Sequence, residues 1–262
     1  MNIADKLTMV AENEKKVYDA GQGAGYIDGF NEGSANGKKL GKEEGKKEQY
    51  NLFWNTFQQW DSATKTTKRT DYRRAFACWY LANEIFNPKY DVVPVGDASY
   101  MFYSFRTYTD LTDITNMDGK VINFDFSKVT KFFYMFDNSL IKNAGTVDCS
   151  ATNSLDNTFF NATSLKIIER LIVHEGITTY TYCFASSALL QDVTVEGTIA
   201  GTGIVLSGHT GLTHDSIMSF INALKDYSGT TTTKTITFGA KNLEKLTDSE
   251  KAIATERGWT LA

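Results

Sequence analysis

Proline is nearly absent from these 262 residues: the two that occur, Pro88 and Pro94, share one short segment. Elsewhere nothing forbids hydrogen-bonded elements. Cysteine is as scarce. Cys78, Cys149 and Cys183 lie far apart without C-x-x-C spacing, which fits buried apolar filler rather than a disulfide framework. No block resembles a basic arm, and the net charge of −4 is small, so nucleic acid is not an expected partner. No run approaches the roughly 18–20 apolar residues of a membrane span, so no membrane insertion is expected. The opening stretch MNIADKLTMVAENEKKVYDAG has no apolar run after a basic start and does not read as a secretory signal. The expectation is synthesis in the cytoplasm, with exit by lysis or a non-Sec route.

Motifs that carry chemistry are also lacking. There is no G-x-S-x-G, P-loop or H-E-x-x-H. His209 and His214, with Asp215 adjacent, are five apart, which misses both helical-face spacings, and no third ligand is evident. Cys183 with His174 suggests a nucleophile pair only weakly. No catalytic residue, metal or cofactor is expected.

What is present is glycine at positions 21, 25, 29, 33, 37, 41 and 45, every fourth residue without a miss. Upstream, Ile3, Leu7, Val10 and Val17 lead into Gly21 with a 4-3-7-4 spacing, a heptad seam with Glu14 at one seam position. Downstream, Tyr50, Phe53, Trp54 and Phe57 are again at helical spacing. Residues 1–59 therefore predict one long helix, from Ile3 to about Phe57. Seven exposed glycines would cost a lone helix about 7 kcal/mol relative to alanine. Close packing on a second copy would offset that, because glycine lets backbones approach. The expected role of Ile3, Leu7, Val10, Val17, Gly21, Gly25, Gly29, Gly33, Gly37, Gly41 and Gly45 is homo-oligomerisation. The alternative is a flexible, charged tether, which has no reason to count to four.

A connector follows at 60–97, with Thr and Ser marking a loop and the two prolines forcing extended backbone. Over 98–206, short strands recur at Phe124–Phe126, Val147–Cys149, Leu171–Val173 and Val193–Val195, in steps of 23, 24 and 22 residues. Each is followed 10 or 11 residues later by an apolar anchor: Phe136, Phe160, Phe184 and Leu206. Phe105 opens the anchor series, and Leu140, Leu165 and Leu189 trail their anchors. A fixed period of 20–29 residues with one strand per unit predicts a leucine-rich-type solenoid. Residues 207–262 predict a closing cap. It comprises a helix from Thr213, a strand at Ile236–Phe238, a second helix opened by the capping box Thr247–Glu250, and a strand at Trp259–Leu261.

The stretches YMFDNSL, NTFFNATSL and YCFASSALL resemble the BspA-like leucine-rich repeat family. RTDYRRAF, NEIFNPKYDVVPVGDASYMFYSF and LTDSEKAIATERGWTLA look like a subgroup of it encoded in phages and prophages of Gram-positive bacteria. The resemblance implies a virion component of tail, baseplate or fibre, with other virion proteins and a host cell-surface ligand as partners. Alternatives are a bacterial surface adhesin of the BspA-like kind and a cytoplasmic scaffolding protein. The expected fold class is α+β: a long oligomerising helix, a short repeat solenoid and a helical cap. In such a solenoid the outward residues of successive strands, Asp125, Asp148, Ile172 and Thr194, would form one row about 4.8 Å apart, with His174 one step beyond a strand. Asp125, Asp148, Thr194 and His174 are the candidate ligand-binding residues, against the alternative of a solvated polar face.

Overall fold

The computed structural model describes Trp60–Asp61, Thr66–Thr67 and residues 91–105, 110–115 and 119–262. The expected helix and all of its seam residues and glycines lie outside these residues, as does most of the connector. The first strands, β1 (Trp60–Asp61) and β2 (Thr66–Thr67), form an antiparallel pair.

The other described strands are short and parallel, in separate small sheets. β3 (Val95–Asp97) pairs with β4 (Lys128–Lys131). β5 (Thr146–Asp148), β6 (Ile167–Val173) and β7 (Asp192–Gly197) form a three-stranded sheet in that order. β8 (Lys234–Ile236) pairs with β9 (Trp259–Leu261). Helices α1 (His214–Ala223), α2 (Ala240–Leu243) and α3 (Asp248–Glu256) interrupt the last strands.

This overturns the solenoid expectation, which required one strand per unit in a continuous sheet. The strand expected at Phe124–Phe126 is reduced to a single bridge, Val92 to Phe124. The pairing strand there is the later Lys128–Lys131, exposed at three of its four positions. It faces β3 with a register shift, and its Thr130 carbonyl accepts from the Thr152 hydroxyl at 2.9 Å rather than continuing a ladder. Within β6 the alternation breaks at Glu169 and Arg170, both exposed, and the β6–β7 register shifts there as in a bulge. Beyond β7 the sheet stops because α1 covers the edge. Ser216 and Ser219 of α1 accept from the Val193 and Val195 amides, groups that another strand would otherwise have taken.

The core is held by rings more than by strands. Phe102, Phe136, Phe159 and Phe184 stack nearly parallel at 5.4, 5.1 and 5.5 Å between centroids. All four are essentially inaccessible. The column then turns edge-on through Phe220 of α1 at 6.0 Å and on to Phe238 at 6.3 Å. Of the expected anchors, Phe136, Phe184 and Leu206 are buried. The third stacked ring is Phe159, whereas Phe160 is only half-buried. The first is Phe102, with Phe105 buried edge-on beside it at 5.5 Å. Leu165 is buried, Leu189 is exposed, and Leu190 takes the inward place.

The C-terminal helices begin where their caps dictate. Thr213 accepts from the Ser216 amide, and Thr247 and Glu250 form a reciprocal capping box. His214 at the start of α1 bonds Glu250 Oε1 at 2.8 Å, so the two helix N-termini are tied together.

Candidate functional site: a strand-end row and an aromatic terrace

The expected site residues divide. Asp148 ends β5 opposite Ile172 of β6, and Ile172 in turn faces Glu196 of β7. The row that forms is thus Asp148, Ile172, Glu196. Thr194 sits beside the register shift and has no partner in the β6–β7 pairing. Asp125 is not paired with Asp148: its amide bonds the Val92 carbonyl at 2.9 Å. Each aspartate instead closes a local turn, Asp125 accepting from the Ser127 amide at 3.0 Å and Asp148 from the Ser150 amide at 2.9 Å. His174 makes the same kind of turn with its ring. Nδ1 accepts from the Gly176 amide at 3.1 Å, so the proton sits on Nε2, which donates to the Thr152 carbonyl at 2.8 Å.

The row carries its own counter-charge. Arg170 binds Glu196 through both nitrogens, Nε and Nη2, at 2.6 Å each. Arg170 holds the Glu196 carboxyl below its ordinary range, and its own guanidinium is held above its ordinary value by Glu196 first and Asp148 last. Gly197 ends β7 at φ +99°, where an added Cβ would lie 1.9 Å from the Val173 carbonyl oxygen.

The two cysteines among the described residues are not poised for chemistry. Burial pushes the Cys149 and Cys183 thiols up, away from the thiolate a nucleophile needs. His209 is buried with Nε2 on the Phe184 carbonyl at 2.9 Å. Among the described residues no group of three or more His, Cys, Asp or Glu is placed to hold a metal ion.

A second surface emerges from four six-residue turns: SYMFYS at 99–104, FYMFDN at 133–138, DNTFFN at 156–161 and TYCFAS at 181–186. In each, the second and sixth residues have positive φ: Tyr100 and Ser104, Tyr134 and Asn138, Asn157 and Asn161, Tyr182 and Ser186. The third and fourth are buried, the fourth being the stacked phenylalanine. The turns bond to one another through their backbones, as in Phe102 N–H to the Met135 carbonyl at 2.8 Å and Phe159 N–H to the Cys183 carbonyl at 2.9 Å. Left-handed backbone suits asparagine but costs a tyrosine roughly 1–3 kcal/mol. Three of the four turns nevertheless place tyrosine at the second position.

The first, second and fifth residues of these turns face outward more than the third and fourth and bring rings together. Tyr100 stacks on Tyr134 at 5.3 Å, Phe133 meets Tyr134 at 4.3 Å, and Phe160 meets Tyr134 edge-on at 5.3 Å. Phe133 is 42% exposed and Tyr182 64%. Polar groups are interleaved: Asn161 Nδ2 donates to Asp137 Oδ1 at 3.0 Å, and Asp156 accepts from Thr179 Oγ1 at 2.7 Å. Partial burial raises the Asp137 carboxyl above its ordinary value, against the opposing bond from Asn161. Sequence reasoning reads the rings of these stretches as core anchors and places the loops after them, Asp137–Ser139, Asn161–Ser164 and Ala185–Ala188, second to the strand face as a ligand site. The signal available was the recurrence of Tyr or Asn two residues before each stacked Phe.

Comparison with known proteins returned no matching family model, no matching curated protein and no matching solved structure.

Proposed function

We propose that this chain is a binding component of a phage or prophage virion, in tail, baseplate or fibre, that presents its folded region to a host cell-surface ligand. The phage assignment rests on the sequence resemblance. The binding role rests on one observation above others: the exposed ring of Tyr182 is carried on backbone that its residue type disfavours. Such strain persists where the surrounding structure over-determines it, and it concentrates at recognition sites. A tyrosine kept at the left-handed position of Tyr182, while the equivalent Asn157 avoids the cost, is retained for its ring. The buried, raised thiols of Cys149 and Cys183 favour binding over nucleophilic chemistry. In this reading residues 1–59 associate with copies of themselves and gather several binding surfaces, which multiplies weak affinities.

Mass spectrometry of purified particles, with immunogold labelling, tests the proposal. The chain is expected in the particle at an outer tail structure. Detection only at the bacterial envelope would replace this reading with that of a surface adhesin.

A further inference from the structure

Resting on that reading, we infer that the terrace built by Phe133, Tyr134, Phe160 and Tyr182 with Asp137 and Asn161 is a carbohydrate site, which takes the hexopyranose rings of a neutral cell-surface polysaccharide. Three features of the terrace select this chemistry. The first is ring geometry. Tyr134 meets Phe133 at 4.3 Å and Phe160 at 5.3 Å, both edge-to-face. Each of these rings is therefore braced by a neighbour, and Phe133 and Tyr182 are exposed to solvent. The electron-rich face of an aromatic ring attracts the polarised C–H groups on the apolar face of a sugar.

The second feature is what stands between the rings. Asn161 holds Asp137 Oδ1 at 3.0 Å. That holds the carboxylate in place, with acceptor capacity left on Oδ2, while Phe160 takes the equivalent position of the next turn. A fixed carboxylate next to a fixed carboxamide offers acceptors and a donor to adjacent sugar hydroxyls, which are both donors and acceptors. The third is charge and composition. The first and fifth positions of the four turns are Ser99, Tyr103, Phe133, Asp137, Asp156, Phe160, Thr181 and Ala185, all but Ser99 at least partly exposed, with no lysine or arginine. A phosphate-rich or otherwise anionic polymer would meet Asp137 and Asp156 without a cation to pair with. A protein partner is disfavoured by the same count. Protein interfaces combine aromatic residues with Arg and Met, whereas these turns carry no Arg and bury Met101 and Met135 wholly.

The turns repeat along the molecule with backbone bonds between neighbours, so equivalent positions follow one another in a line. A linear polymer with repeating sugars matches such a line; a monosaccharide would occupy only one step of it. The site is therefore expected to bind oligosaccharides with affinity that rises with chain length.

The test uses the full chain and three single variants, Tyr182→Asn, Phe133→Ala and Asp137→Asn. Tyr182→Asn places at the left-handed position the residue that Asn157 already provides, so folding is preserved. The probes are neutral hexose and N-acetylhexosamine oligosaccharides of two to eight units on an array, followed by calorimetry, together with whole Gram-positive cells that are untreated, periodate-oxidised or protease-shaved. Periodate destroys vicinal diols and so removes sugar ligands. Wild type is expected to bind longer oligosaccharides and protease-shaved cells, and to lose periodate-treated cells. Removing one ring is expected to weaken oligosaccharide binding roughly tenfold, while Tyr182→Asn should melt no lower than wild type and higher by whatever left-handed cost it relieves. Cell binding that survives periodate, fails after proteolysis, or is unaltered in both ring variants would overturn the carbohydrate site while leaving the host-binding reading in place. Absence of binding to any cells or glycans would overturn both.

Discussion

Phe159 and Phe160 are adjacent, chemically identical and differently placed. Phe159 lies flat between Phe136 and Phe184, its centroid 5.1 and 5.5 Å from theirs, with no exposed surface. Phe160 meets only the Tyr134 ring edge-on among the ring contacts described, on the outer side of the turn. Removing the Phe159 ring leaves a cavity in close-packed core, and Phe159→Ala is expected to lower stability by about 3–5 kcal/mol. Phe160→Ala loses one edge contact and partial burial, and should cost about 1 kcal/mol. Urea unfolding of the two variants distinguishes them; equal losses would mean the column is misassigned. The sequence reading chose Phe160 as the anchor because an anchor-to-strand distance of 10 or 11 residues tolerates a slip of one. What decides between the two rings is the left-handed conformation of Asn157 and Asn161, which turns Phe159 inward. No periodicity reports that. The same blindness made Leu189 an inward residue when Leu190 fills the place.

At the scale of elements, the joint between α1 and α3 has a measurable pH signature. His214 lies within 3.3 Å of Asp215 and 2.8 Å of Glu250, and these carboxylates raise its pKa above the ordinary 6.5. A group whose pKa is raised by folding stabilises the folded state when protonated. That contribution is complete below about pH 6.5 and is lost as pH rises through the higher folded value. Glu250→Gln keeps a capping-box residue, since glutamine serves at that position as glutamate does, but removes the charge. The His214 imidazole should then titrate at lower pH by NMR, and stability between about pH 6 and 8 should fall less steeply than in wild type. An unshifted imidazole would place the cause in Asp215 alone. The capping box itself was legible from T-D-S-E, because caps are local chemistry. The tie from His214 was not, since 36 residues separate its partners. The sheet was only partly legible for the same reason. Apolar alternation located β5, β7 and the second half of β6. Whether neighbouring strands join depends on Thr152 intercepting the Thr130 carbonyl and on serines of α1 covering β7, contacts that join distant segments. Of the expected strand-face residues, Asp148 keeps its place in a row, but pairing supplies Glu196 where Thr194 was expected.

For the whole molecule, the open question is how many copies act together, and it turns on residues 1–59. Seven glycines at strict intervals of four are the least expected feature of the chain. A tether gains nothing from the interval. Two backbones approaching closely do, because every side chain on the shared stripe is then absent. Substituting Gly29 and Gly33 by leucine separates the two readings in the full-length protein. In a tether, the leucines add local helical preference and exert no effect on mass. Between closely approaching copies, they insert bulk where none fits, and overpacking weakens association despite the better propensity. Multi-angle light scattering across a dilution series is expected to show wild type as an oligomer and Gly29→Leu/Gly33→Leu shifted toward monomer. The melting behaviour of the folded region should not change between them, because its ring column lies wholly within residues 102–184 and is completed by α1 and Phe238. Host-cell binding supplies the link to function. If several terraces act together, the substituted protein should lose apparent affinity for cells while its affinity for a short oligosaccharide stays the same, since only the multivalent term depends on copy number. A monomeric wild type would remove self-association, and with it the multivalent term, leaving each terrace to bind on its own.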